Sequence, residues 1–216
     1  MADKTCAAVI VAAGTASRMG GIDKIFHPID GRPVITHSLS VFDSLDFITQ
    51  IIIVAKEQDK PRLEQVCAGL KTDVQIVLGG QTRAHSVLNG VGAVRTDFAA
   101  IHDGARPFVT RQVVEDAFFA AVEHGSAAPC VPVFDTVKLV ERGKIVKTLD
   151  RDKLFLVQTP QIFERGLILN ALEQAVEQGV PITDDCSAVE ALGLAVHMTK
   201  GDKGNIKITT PEDLER

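Results

Sequence analysis

The run FITQIIIVA at 47–55 is apolar almost throughout and rich in β-branched side chains. A strand with one wet face alternates apolar and polar residues, so a run of this kind belongs in a sheet covered on both faces. Shorter runs at 7–11, 74–78, 99–102 and 127–133 have the same character. Helical periodicity fills the intervals, from 33 or 34 to 42, over 58–68, over 84–94 and over 111–124, the last closed by Gly125. Strands alternating with helices predict an α/β domain with a mostly parallel sheet and helices on both faces. Asp30-Gly31 marks a turn. Further on, 154–158 reads as a strand resuming the core, 161–178 as largely helix, and Asp184 or Asp185 as the cap of a helix running to 192. A strand over 196–199, a short extended piece over 205–208 and a last helix opened by Thr210-Pro211-Glu212-Asp213 complete the pattern.

The rhythm breaks once. Residues 136–140 and 145–149 flank Glu141-Arg142-Gly143-Lys144 and read as a β-hairpin. It has too little apolar surface to be stable alone, so it should project and pack on something. The 216 residues therefore read as a single domain, 1–216, carrying a β-arm at about 134–153.

In a sheet of this type ligands bind beyond the carboxyl ends of the strands, so the loops there are where chemistry is sought. The first is Ala12-Ala13-Gly14-Thr15-Ala16-Ser17-Arg18-Met19-Gly20-Gly21-Ile22-Asp23-Lys24. Small side chains let backbone N–H groups approach an anion, and Arg18 and Lys24 add a planar fork and a mobile point charge. Gly79, Gly80 and Arg83 follow the third strand, and Asp103 and Arg106 the fourth. Asp135 and Thr136 follow the fifth, Thr159 and Gln161 the resumed strand, and Lys207 lies in the last extended piece. Cations, hydroxyls and one carboxylate gathered at one edge suit phosphates and a divalent metal. Plainer roles stand beside these: Arg83 as a solvated charge, Arg106 as a partner of Asp103, His102 as a satisfied core histidine, and Asp184 and Asp185 as caps rather than a metal pair.

Several classes are excluded. The first loop is neither a Walker loop, since Gly14 and Gly20 are too far apart and Ile25 follows Lys24, nor a dinucleotide fingerprint, since Ala16 replaces its second glycine. No G-x-S-x-G or H-E-x-x-H occurs. A net charge of −5 argues against nucleic acid or an anionic membrane surface as partner, and no segment has membrane-spanning length. Cys6, Cys67, Cys130 and Cys186 form no C-x-x-C pair and read as buried free thiols, which with the absence of a signal-like N-terminus points to a cytoplasmic enzyme. Phosphate-binding groups without a nucleophile point to direct phosphoryl or nucleotidyl transfer, in which positioning and charge stabilisation do most of the catalysis.

Read in order, the motifs resemble the 2-C-methyl-D-erythritol 4-phosphate cytidylyltransferase family of the non-mevalonate isoprenoid pathway. The resemblance is carried by Ala12-Ala13-Gly14-Thr15-Ala16-Ser17-Arg18-Met19 with Lys24, and by Gly79-Gly80 with Arg83 and Ser86. It continues through His102-Asp103-Gly104-Ala105-Arg106-Pro107, Asp135-Thr136-Val137-Lys138, Asp150-Arg151 and Gln158-Thr159-Pro160-Gln161. Thr183-Asp184-Asp185 with Ser187, and Asn205-Ile206-Lys207-Ile208-Thr209, complete it over nearly the whole chain.

The resemblance implies a Rossmann-like nucleotidyltransferase fold, Mg²⁺ as cofactor, CTP and a sugar-alcohol phosphate as substrates, and a homodimer built through the arm. By position it makes Arg18, Lys24 and Lys207 catalytic. Ala12, Ala13, Gly14, Gly80, Ser86 and Asp103 become nucleotide-binding residues, with Asp103 also on the metal. Asp103, Arg106, Thr136, Thr159 and Lys207 would face the sugar phosphate, with Arg151 reaching it from the partner's arm. Asp23 stands where the family usually has proline, placed to pair with Lys24. Rival readings are a cytidylyltransferase for another alditol phosphate such as ribitol 5-phosphate, whose relatives tend to carry A-G-G in the first loop, and a catalytically silent nucleotide-binding subunit.

Overall fold

The computed structural model describes residues 4–14 and 23–214. Strand β1 (Cys6–Val11) is followed by a small hairpin, β2 (Pro28–Ile29) and β3 (Arg32–Pro33). Its two-residue turn, Asp30 and Gly31, has positive φ at both positions, the conformation that such tight hairpins demand. Then come α1 (Val34–Asp43), β4 (Ile48–Ala55), α2 (Lys60–Cys67), β5 (Asp73–Leu78), α3 (Arg83–Gly92) and β6 (Phe98–Asp103). Next are α4 (Arg111–His124), β7 (Ser126–Pro132), the hairpin β8 (Lys138–Glu141) and β9 (Lys144–Thr148), β10 (Phe155–Val157) and β11 (Gln161–Glu164). The last labelled elements are α5 (Arg165–Glu177), α6 (Asp185–Ala191) and β12 (His197–Lys200).

The central sheet has eight strands, in the order β5-β4-β1-β6-β11-β7, with β10 and β11 pairing successive stretches of β7 and β12 pairing it as well. Pairs β1–β4, β4–β5, β1–β6 and β7–β12 are parallel; β10 and β11 run antiparallel to their neighbours. Alternate residues of β1 enter different cores. Ala8 and Ile10 pack with α1 and α4, through Ile35, Phe42, Val114 and Phe118. Ala7 and Val9 pack with α3 and α5, through Val87, Val91, Ile168 and Leu172. Both faces are therefore dry, which is why the strand sequences are apolar without alternation.

The chain order reverses at β1. From it the sheet grows through β4 to β5 on one side, while β6 is laid on the other. Val11, the last residue of β1, pairs in register with Val54 and with Asp103. The loops leaving β1 and β6 diverge from this point and open a crevice, the place where sheets of this class bind ligands.

Three expectations are corrected. Residues 161–164 are strand, not helix: β11 fills the gap between β6 and β7, sending Ile162 into one core and Phe163 into the other, and α5 begins only at Arg165. Residues 154–158 do not resume the core, because Phe155, Leu156 and Val157 of β10 are all exposed. Residues 205–208 carry no strand pairing, and the last helix is a single 3₁₀ turn, Pro211–Leu214. The hairpin at 138–148 forms as expected; β8 and β9 make a separate two-stranded sheet with every residue exposed. Among the described residues no helix is long and apolar enough to cross a membrane.

Candidate active site

Asp103 ends β6 at the crevice, its carboxylate 12% exposed. One oxygen, Oδ2, accepts from Lys207 Nζ at 2.9 Å and from Arg106 Nε at 3.4 Å. Burial alone would raise the pKa of this carboxyl, but Lys207 first, then Arg83 and Arg106, hold it below the usual carboxylate range. Asp103 thus stands as an anion among three cations. The expected pairing of Arg106 with Asp103 is present, and Arg106 Nη1 also donates to the Asn205 carbonyl at 2.7 Å.

His102 sits behind this group, fully buried. Its Nε2 lies 3.1 Å from the Arg106 carbonyl, which can only accept, so Nε2 carries the hydrogen. Nδ1 is then left to accept from the Thr159 hydroxyl at 3.1 Å, and that hydroxyl oxygen accepts from the Asp103 N–H at 3.1 Å. Thr159 is therefore fixed against Asp103 by a histidine that is structural, as its sequence context suggested. Burial pushes His102 from 6.5 down to about 4. Between these values the unfolded chain binds a proton that the folded one refuses, so stability falls as pH falls. We expect acidification from pH 7 to pH 5 to cost about 2 kcal/mol through this group, an increment that disappears in His102→Asn. Urea unfolding at the two pH values checks it; identical pH slopes in both proteins would refute it.

The residues expected at the nucleotide come together one strand away. Ala12, Ala13 and Gly14 leave β1, and the Ala12 N–H donates to the Val54 carbonyl at 2.7 Å. Gly79 and Gly80 leave β5 so close to neighbouring chain that a Cβ on Gly79 would lie 2.4 Å from Ala13 Cβ, and one on Gly80 2.4 Å from His85 Cβ. Ser86, buried in α3, accepts from the Gly80 N–H at 3.0 Å and donates to the Thr82 carbonyl at 2.9 Å. Thr82 caps α3, its hydroxyl accepting from the His85 N–H. Small residues here leave exposed backbone beside a helix N-terminus.

Arg83 is the residue that sequence reading undervalued. It is no solvated charge: Nη1 and Nη2 grip the two oxygens of Asp185 at 2.8 and 2.7 Å, and that carboxylate is fully buried. Burial disfavours charge on Arg83, yet the Asp185 carboxylate outweighs it and holds the guanidinium protonated. Asp184 caps α6 in a reciprocal box with Ser187. Gln161 of β11 accepts from the Asp185 and Cys186 N–H groups and donates to Asp184 Oδ2. Both acidic residues are thereby used in structure, Asp184 as the expected cap and Asp185 as the partner of Arg83. Cys186 is buried and its thiol is pushed up by burial, which leaves it inert.

Beside Asp103 a cavity of about 420 Å³ is lined by Arg106, Val131, Phe134, Leu156, Gln158 and Lys207, among others. Charged and apolar side chains lining one cavity suit a small polar molecule that carries a phosphate.

The sequence profile of the 2-C-methyl-D-erythritol 4-phosphate cytidylyltransferases matches residues 6–216. The chain belongs to this family. A cytidylyltransferase of that name from Caldanaerobacter subterraneus is 43% identical over 214 residues, covering 96% of this chain and 94% of the relative. One from Geobacillus thermodenitrificans is 42% identical over 211 residues, covering 96% and 92%. The crystal structure of 4-diphosphocytidyl-2C-methyl-D-erythritol synthase from Anaerococcus prevotii superposes with a TM-score of 0.89 at 27% identity, covering 99% of this chain and 96% of that one. The cytidylyltransferase match spans the crevice and the arm alike.

The remaining residues that the cytidylyltransferase resemblance singled out fall in three places. Arg18, with Ala16 of the same loop, lies outside the described residues. Lys24 is half-buried, its Nζ 3.4 Å from the Ile208 carbonyl, next to Lys207 in the chain. Asp23 ion-pairs with Arg62 at 3.1 Å, and that guanidinium covers the Phe26 ring. Thr136 and Arg151 are exposed on the arm, where Arg151 donates to the Phe134 carbonyl at 2.8 Å.

Proposed function

We propose that the protein transfers the cytidylyl group of CTP to 2-C-methyl-D-erythritol 4-phosphate, giving 4-diphosphocytidyl-2-C-methyl-D-erythritol and pyrophosphate. The observation that carries this reading is the cluster of Lys207, Arg106 and Arg83 around Asp103 at the switch point, with Lys24 close to its edge. Two phosphate-bearing anions must meet there, and preorganised cations in a partly dry site offset their repulsion. An oxygen of the sugar phosphate bonds to the α-phosphorus while the bond to the bridging oxygen of the β-phosphate breaks, and pyrophosphate leaves with that electron pair. The attacking phosphate is already ionised near neutral pH, so no general base is required.

In this reading Ala12, Ala13, Gly14, Gly80 and Ser86 receive the cytidine. Arg18 and Lys24 hold the triphosphate, and Lys207, with them, steadies the charge that builds on the α-phosphate. Arg106 and Lys207 orient the sugar phosphate, whereas Thr159, expected to face it, is buried with its hydroxyl proton given to His102 and instead fixes Asp103 beside them. Asp103 offers one hard oxygen ligand, and among the described residues no group of three or more His, Cys, Asp or Glu could hold a metal. One carboxylate suits Mg²⁺, which keeps its waters and takes further ligands from substrate phosphates. When bound, the ion would neutralise part of the triphosphate charge.

The arm supports assembly with a second copy. Leu139, Val140, Ile145 and Val146 are exposed on it, and Phe134 and Leu156 at its base. That apolar surface is more than an isolated hairpin leaves to water. We read the chain as one domain with its arm at about 134–153, forming a homodimer in which the partner subunit's Arg151 reaches the sugar-phosphate site. Four unpaired thiols fit a cytoplasmic setting.

The test is pyrophosphate release from CTP and Mg²⁺, comparing 2-C-methyl-D-erythritol 4-phosphate with ribitol 5-phosphate. Release with the former alone is expected. Release with ribitol 5-phosphate alone would keep the chemistry and change the substrate. CTP binding with no release from either would make the chain a silent nucleotide-binding subunit.

A further inference from the structure

After β12 the chain turns back across the carboxyl edge of the sheet as a strap, 201–208, which delivers Lys207 to Asp103. The strap has no strand pairing, so something else must set its position. Two buried amide side chains do so. Gln158 accepts from the Asp202 N–H at 3.1 Å and donates to the Asp202 carbonyl at 2.7 Å, gripping one residue by both its backbone groups. Asn205, with no exposed surface, ties the strap to the site itself. Its Nδ2 donates to the Thr159 carbonyl at 2.9 Å, and its own carbonyl accepts from Arg106 Nη1 at 2.7 Å. Three residues further, the Ile208 N–H donates to the Ala105 carbonyl at 2.8 Å.

Asn205 therefore touches Arg106 and Thr159 and lies two residues from Lys207. A lysine side chain is a flexible stem with a point charge, so the place of its ammonium depends on where its backbone is held. A guanidinium is a rigid fork, and that of Arg106 is aimed by two acceptors, Asp103 Oδ2 and the Asn205 carbonyl. A further sign sets Asn205 apart from ordinary packing. Among the described residues its Oδ1 is buried without a hydrogen-bond partner, a cost that a residue serving stability alone would shed.

We propose that Asn205, anchored on the Thr159 carbonyl and backed by Gln158, is the positioning residue that holds Arg106 and Lys207 in one rigid receptor for the sugar phosphate. It touches no reacting atom in this account. The inference rests on the proposed cytidylyl transfer and adds to it a determinant of affinity for one substrate and not the other.

The experiment measures KM for each substrate by pyrophosphate release, with folding followed by circular dichroism. Asn205→Ala is expected to raise KM for 2-C-methyl-D-erythritol 4-phosphate about tenfold while KM for CTP stays within about twofold. Should that variant fail to fold, Gly201→Ala applies the same perturbation by another route. Its Cβ would lie 2.7 Å from Gln158 Oε1 and 3.0 Å from the Cys130 carbonyl, pushing the strap off its seat. The same one-sided rise in KM is expected. Equal rises for both substrates, or none in a folded variant, would overturn the inference. Absence of turnover by the unaltered protein would instead bring down the cytidylyl-transfer reading and this inference with it.

Discussion

Lys207→Ala is expected to lower kcat/KM for cytidylyl transfer by about 10²–10³-fold, the range seen when a preorganised charge-stabilising group is lost. Two effects add. The ammonium 2.9 Å from Asp103 Oδ2 is lost as an attractive charge for incoming phosphate. At the same time Asp103, for which Lys207 is the strongest neutralising neighbour, becomes a repulsive one. Its carboxyl should titrate higher in the variant, so the acid limb of the pH–rate profile should move up as well. The fold should barely notice. The Lys207 side chain is 37% exposed, and Asp103 keeps its contact with Arg106 when Lys207 is removed. Lys207→Arg should restore part of the rate, since charge is kept while the point of contact moves. A loss below about tenfold in Lys207→Ala would remove the residue from the centre of the mechanism.

The inner strands β1, β4 and β6 could be read in advance because they are dry on both faces: 47–55 had no other place to go. Two strands were less legible, one inside the sheet and one at its border. Four residues are too few to show a period, and nothing local in Gln161-Ile162-Phe163-Glu164 says that strands wait on either side of it. Phe155-Leu156-Val157 misled for the opposite reason. Its apolar character is real, but its side chains face outward from a single chain. That mismatch is itself an argument for a second copy.

For the site, position was the readable part. Asp103, Arg106 and Gly79-Gly80 follow strands, and any parallel sheet brings such loops to one edge. What could not be read was which side chain would meet which. Arg83 and Asp185 are 102 residues apart, and Asn205 and Thr159 are 46 apart. Neither pairing has a local signature, because both depend on where α6 and the 201–208 strap lie against the sheet.

The Arg83–Asp185 pair carries the largest expected effect on stability. Asp185→Ala should cost about 3–5 kcal/mol in urea unfolding, the range for breaking a buried pair by removing one partner. The size follows from what remains. Arg83 would keep its charge with neither carboxylate oxygen to grip, and α3 and α6 would lose the tie between their first turns. The pair also has a function that a stability measurement alone would miss, because Arg83 contributes to the field that keeps Asp103 ionised. Replacing both partners with apolar residues, Arg83→Met with Asp185→Leu, separates the two roles. A well-packed apolar pair commonly matches a buried ion pair in stability, so the double variant should recover most of the loss. Turnover should not recover, since Asp103 would still be short of one of its three cations. A single variant within about 1 kcal/mol of the unaltered protein would show that water or another group replaces Asp185. A double variant with full turnover would confine Arg83 to holding the fold.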